Sequence, residues 1–188
     1  MKIKASLLTD VDFVPSPNYN ARPQNEDISL LVIHNISLPP GEYGRGYIQQ
    51  FFQNKLPVSA DPSFATIKDL KVSAHLLIER DGKITQFVPF NLRAWHAGKS
   101  VWQGRENCND YSIGIELEGT DTDAYTDIQY TQLGIVTALL LQEYPTLNRK
   151  NIVGHEHIAP QRKTDPGAAF VWEQYNKSID IAIKKQGV

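Results

Sequence analysis

The sequence predicts one α/β domain, a central mixed β-sheet flanked by helices, and three observations predict it. Residues 28–36 (ISLLVIHNI) form a nearly continuous apolar run with β-branched members, as a strand covered on both faces does. Two further apolar runs flank Arg80-Asp81-Gly82, and Asp-Gly between such runs signals a hairpin. Residues 131–144 carry Leu133, Val136, Leu139, Leu140 and Tyr144 at helical spacing, which suits an amphipathic helix lying on a sheet.

In chain order, residues 1–27 are rich in Pro, Asn and Asp and read as an irregular segment wrapping the core. The strand at 28–36 is stopped by Pro39-Pro40-Gly41. A short helix is expected over 47–54, then a long, Pro-punctuated connection to Leu70. The hairpin strands are expected at 74–79 and 83–88, and 91–109 reads as irregular. Residues 112–118 (SIGIELE) alternate, so a half-buried strand would turn Ile113, Ile115 and Leu117 one way and Gly114, Glu116 and Glu118 the other. Pro145 ends the helix over 131–144. Residues 151–154 read as a short strand running into His155. A terminal helix over about 170–185 would place Lys184 and Lys185 at its negative end. No repeat or linker interrupts this plan, so residues 1–188 are expected to be one domain with its core at about 28–172.

Composition narrows the function. A chain of 188 residues has room for one sizeable core. With 41% hydrophobic and 21% charged residues it is ordinary for a globular protein. A net charge of -2 without a dense basic run argues against nucleic acid or an anionic membrane as partner. The one cysteine, Cys108, suits a reducing compartment. The apolar stretch near the start is broken by Thr9, Asp10 and Asp12, too early for a signal peptide. A cytoplasmic enzyme is the expectation.

Five histidines occur, His34, His75, His96, His155 and His157. A lone histidine beside an apolar run is usually a hydrogen-bonded core or surface residue. His34, however, ends the strongest strand, His155 directly follows another, and Asp165 comes ten residues later in a polar stretch. Two imidazoles and a carboxylate would make a three-ligand zinc site with its fourth position open to water. Spacing alone leaves that open, since no HExxH or CxxC ties the ligands together.

Four segments carry a resemblance: SAHLLIERDG (73–82), WHAGKS (95–100), GRENCNDYSIGIELEGTD (104–121) and GHEHIAPQRKTDPG (154–167). In order and register they resemble the AmpD-type N-acetylmuramyl-L-alanine amidases. More distantly they are similar to peptidoglycan recognition proteins and phage amidase-type lysozymes, which share a fold. The resemblance implies one zinc ion per chain on His34, His155 and Asp165, with Glu116 as general base and Lys163 stabilising the oxyanion. It places His157 beside the site or on the surface, and His75 and His96 as lining or support.

For substrate contact the resemblance implies Asn35, Lys71, Trp95, Arg105, Asn107 and Ala159. Family members often carry arginine where this chain has Lys71 and Asn107; lysine loses the bidentate fork and asparagine the charge, with Arg105 the candidate substitute. The implied reaction is hydrolysis of the amide between (1,6-anhydro-)N-acetylmuramic acid and L-alanine of muropeptides, in cytoplasmic peptidoglycan recycling. The implied partner is that small molecule, with no obligatory protein partner. The alternatives are a phage-type endolysin acting on intact wall and a non-catalytic muropeptide-binding module. A binding module would be marked by a lost ligand, and all three are present.

Overall fold

The computed structural model describes residues 1–24 and 27–186; positions 25 and 26 of the expected irregular segment and the last two residues lie outside it. Six strands form the main sheet: β1 (Asp12–Phe13), β2 (Leu30–Ile36), β3 (Leu76–Ile78), β4 (Ile84–Gln86), β5 (Ser112–Glu118) and β6 (Ile152–Gly154). Their order across the sheet is β6-β2-β5-β3-β4-β1. The first four run parallel, β3 and β4 form the antiparallel hairpin, and β1 joins β4 in parallel. The helices are α1 (Tyr47–Phe52), α2 (Asp127–Glu143), α3 (His155–Ile158) and α4 (Trp172–Gln186). The mixed sheet with flanking helices is the architecture that the sequence predicts.

The alternation of β2 sorts its side chains between two cores. Leu31 and Ile33 join Ile113, Ile115 and Leu117 of β5 beneath α2 and α4, against Leu133, Val136, Leu140, Tyr175 and Ile179. Leu30 and Val32 face the other way, into a smaller cluster with Ala97, Cys108, Tyr111, Val153 and Ile158. A third cluster on Phe51, Phe52, Phe64, Leu77, Phe87 and Val88 covers the far part of the sheet.

Four details depart from the sequence reading. The segment before residue 28 is not all irregular: β1 extends the main sheet, Ile3–Lys4 pairs with Leu7–Leu8, and Tyr19–Ala21 pairs with Leu92–Ala94. These pairings are two or three residues long, so no periodicity announces them. The stretch 91–109 likewise holds Leu92–Ala94, a Val101–Trp102/Arg105–Glu106 ribbon and a 3-10 turn at Cys108–Asp110. The strand β5 is covered on both faces, not half-buried. Glu118 is 3% exposed and accepts from the backbone N–H of Gly44 at 2.6 Å and of Arg80 at 3.2 Å. Finally, α2 begins four residues before the expected 131. Thr126 and Gln129 form a capping box there, a start set by polar side chains and not by apolar spacing.

The helix pair over the sheet is close. A Cβ on Gly134 of α2 would lie 2.6 Å from the Ser178 carbonyl carbon of α4. Alanine ordinarily stabilises a helix interior over glycine by about 1 kcal/mol, whereas overpacking costs about 1–3 kcal/mol. Gly134→Ala should therefore lower the urea midpoint. A raised midpoint would show that the two helices do not touch at this point.

Candidate active site

The register of the parallel strands assembles the site. Across β2 and β5, His34 pairs with Glu116 and Asn35 with Leu117. Paired residues on neighbouring strands face the same way, about 4.8 Å apart, so Glu116 stands beside His34. On the other side of β2, Gly154 pairs with Ile33. The chain then turns into α3, and its first residue, His155, meets His34. Asp165 returns on the following loop, fixed by the Glu156 N–H to Asp165 carbonyl bond of 2.9 Å.

Three ligand atoms converge. His34 Nδ1, His155 Nδ1 and Asp165 Oδ2 form a triangle with edges of 3.0 Å, and all three residues are buried. His155 Nε2 lies 3.1 Å from the Ala97 carbonyl, which can only accept. In the neutral ring Nε2–H therefore donates there, and Nδ1 presents a lone pair to the Asp165 carboxylate. Two acceptors at that distance repel, and one proton on His34 cannot satisfy both fully. A cation satisfies all three donors, so the set fits a metal ion.

Electrostatics favours the ligand forms. Burial, then the neighbouring His155, lowers His34 to about 4 against the pull of Asp165. Burial alone would raise Asp165, but the His155 and His34 imidazoles at its Oδ2 outweigh it and hold the carboxyl well below its usual range. Glu116 is shifted the other way. Burial, then the charge of Asp165, pushes it well above the usual carboxylate range, with Lys163 opposing. Its Oε2 is enclosed and has no hydrogen-bond partner.

These groups sit in a cleft of about 250 Å³. Its floor is His34, Glu116, His155, Lys163 and Asp165, and one wall is Leu38, Phe51, Phe52, Ile67, Leu70 and Val72. Asn35 and Trp95 also line it. Lys71 is exposed between two lining residues. Arg105 and Asn107 lie outside the lining, Arg105 with its guanidinium 3.8 Å from the centre of the Tyr111 ring. Ala159 is buried and acts through its carbonyl, which accepts from the N–H groups of Arg162 (2.9 Å) and Lys163 (3.0 Å). His157 is turned from the triangle and accepts from the Gly154 N–H at 2.9 Å. His75 accepts from the Gly114 N–H at 3.0 Å and donates to the Leu92 carbonyl at 3.1 Å; burial, then Arg22, lowers it to about 3.

Several residues that hold the site are silent in the sequence. Arg22, lowered to about 10 by burial, donates to the carbonyls of Phe90, Asn109, Asp110 and Ser112 at 2.8–3.1 Å. Asp121 takes the Asn35 amide at 2.8 Å, and Asn20 takes the Trp95 indole at 2.7 Å. Asp121 belongs to a motif segment and could have been suspected. Arg22 and Asn20 stand in a polar stretch without a signal.

The comparisons agree with this geometry. The family pattern described as N-acetylmuramoyl-L-alanine amidase matches residues 24–168. The chain belongs to the N-acetylmuramoyl-L-alanine amidase family. Within it, the chain is 57% identical over 175 residues to the 1,6-anhydro-N-acetylmuramyl-L-alanine amidase AmpD of Escherichia coli K12, covering 93% of this chain and 95% of that one. A crystal structure of a selenomethionine AmpD derivative superposes with a TM-score of 0.93 at 55% identity, covering 95% and 99% of the two chains. The amidase AmiD of E. coli, solved with anhydro-N-acetylmuramic acid-L-Ala-D-γ-Glu-L-Lys, gives 0.59 at 32% identity, covering 84% and 60%. The protein is an AmpD-type amidase, and its triangle of donors lies at the base of the amidase cleft.

If this triangle holds the ion, removing any one corner of the amidase site removes the metal. Elemental analysis of purified protein should find one divalent ion per chain, lost in His34→Ala, His155→Ala and Asp165→Ala. His157→Ala should keep it. Full occupancy in the three ligand variants would refute the site.

Proposed function

We propose that the protein hydrolyses the amide joining a 1,6-anhydro-N-acetylmuramyl sugar to the L-alanine of its stem peptide, using one zinc ion on His34, His155 and Asp165. The observation that carries the reading is the triangle of donors with Glu116 on the neighbouring strand. Its 3.0 Å edges are near the about 3.3 Å between ligands of a tetrahedral zinc with bonds of ~2.0–2.1 Å. When bound, zinc would lower the pKa of a water to about 7 and polarise the scissile carbonyl.

The chain's own groups do the rest. Glu116 takes the proton of the attacking water and passes it to the leaving alanine nitrogen. A neighbouring cation counters the burial that disfavours its ionised form, so a filled site readies the base. Lys163 stabilises the charge that develops on the carbonyl oxygen. Asn35 and Trp95 meet the sugar or the first amide, and the apolar wall excludes water from the reacting bond. Lys71 faces the carboxylates of the stem, Arg105 and Asn107 are assigned to its far end, and Ala159 holds Lys163 in place.

The anhydro-sugar and the recycling role rest on the relatives named AmpD, and a stem-bearing fragment rests on the AmiD complex. The single cysteine supports a cytoplasmic setting, and among the described residues no helix is long and apolar enough to cross a membrane.

Glu116→Gln should keep metal and fold while losing about 10²–10⁴-fold in rate, and Lys163→Ala about 10²–10³-fold. Mass spectrometry of a purified anhydro-muropeptide incubated with the variants reads both, and full activity in either removes that residue from the mechanism. A chelator should abolish turnover and added zinc restore it.

The substrate is tested by comparing kcat/KM on that soluble fragment with release from intact sacculi. Equal efficiency on sacculi would replace recycling by the endolysin reading. Lys71→Ala should raise KM for a tripeptide-bearing fragment with kcat unchanged, the mark of lost uniform binding.

A further inference from the structure

His34 has a second neighbour, on the side away from Asp165. Its Nε2 lies 2.9 Å from Nδ1 of His96, and Nε2 of His96 lies 3.0 Å from Ser112 Oγ. Imidazole is both donor and acceptor, so this row can be protonated in either direction. When His34 binds a cation through Nδ1, its proton must sit on Nε2, and then His96 can only accept. We propose that His96 is a positioning residue for the metal, accepting from His34 Nε2–H while Ser112 holds it in the accepting tautomer. The proposal rests on the zinc reading above and concerns affinity at that site.

The seat of the ring is built for this contact. Gly114 lies under it, and a Cβ there would stand 2.4 Å from His96 Cγ, so any other residue at 114 pushes the imidazole off β5. The backbone that carries His96 is also held. Asn109 Oδ1 accepts from the N–H groups of His96 at 3.1 Å and Ala97 at 2.8 Å. The same short segment thus supplies the acceptors of both ligand rings, His96 Nδ1 for His34 and the Ala97 carbonyl for His155.

The ring also packs edge-on against its neighbours, with centroids 5.0 Å from His34 and 5.7 Å from His75. Packing is thus the rival explanation of its presence. A neutral imidazole as partner leaves the net charge of the three-donor set unchanged, whereas a carboxylate in its place would add a negative charge beside Asp165. Partners of metal-bound histidines are typically worth 10–100-fold in metal affinity.

Two substitutions separate the roles. His96→Phe keeps an aromatic ring and removes the acceptor; His96→Asn removes the ring and leaves an acceptor oxygen close to the position of Nδ1. Zinc affinity, measured by competition with a chromogenic chelator, should fall 10–100-fold in His96→Phe and stay within a few-fold of wild type in His96→Asn. The reverse ranking, or unchanged affinity in His96→Phe, would make His96 a packing residue and overturn the proposal. Nitrogen-15 spectra of the zinc-loaded wild type provide a readout that needs no variant to fold. His96 should be protonated on Nε2 and bare on Nδ1, and a proton on Nδ1 would overturn it. Failure of the wild type to bind zinc would instead refute the zinc reading.

Discussion

The parallel register of β2 against β5 and β6 is the constraint on which the site depends. It sets His34 opposite Glu116 and brings the chain out of Gly154 beside His34. A slip of one residue in β2 would turn His34 under α2 and α4 and bring Ile33 to the cleft. The slip is opposed because Leu31 and Ile33 are wholly buried beneath those helices, while Leu30 and Val32 fill the opposite cluster. The hydrophobic sorting of one strand therefore holds His34 toward the other two donors, and the loops only complete the set.

Around that frame the protein gathers groups that do not suit one another without a cation. His34 and His75 are kept neutral chiefly by burial, at about 4 and 3. Asp165 keeps its charge through its close contacts with the two imidazoles, and Glu116 holds an enclosed, unpartnered oxygen. Neutral imidazoles and an ionised carboxylate are the forms that bind metal. These features are the ones a cation would relieve, and one cation would act on the three donors and on Glu116 together.

The cleft is unlike on its two sides. Phe51, Phe52, Ile67 and Leu70 come from the connection between β2 and β3, while Trp95 and His96 come from the one between β4 and β5. Both segments connect strands of the main sheet, and such connections are where specificity is usually placed. Lys71 adjoins this wall, whereas Arg105 stands on the ribbon outside the lining and Asn107 directly follows it. The two positions that depart from the resemblance, 71 and 107, thus both lie outside the lining of the cleft that holds the three donors.

The sequence by itself determined the strands whose apolar runs exceed what a loop can expose, β2 and β5, with the Asp-Gly hairpin and α2. It also pointed to His34, His155 and Asp165 as the three donors, through the motif segments that resemble the amidase family and not through spacing alone. The face of β2 that carries His34 was decided by which helices cover the other face, a matter of packing between distant segments. The same holds for β1 and Tyr19–Ala21, whose partners lie tens of residues away and whose runs are too short to show a period. It holds too for Arg22, whose four carbonyl partners meet only once the chain has folded. A pattern along the chain reports on neighbours within a helical turn or a strand. Which nitrogen of His34 faces Asp165 and which faces His96 depends on groups 62 to 131 residues apart, and only the tertiary structure brings them to one place.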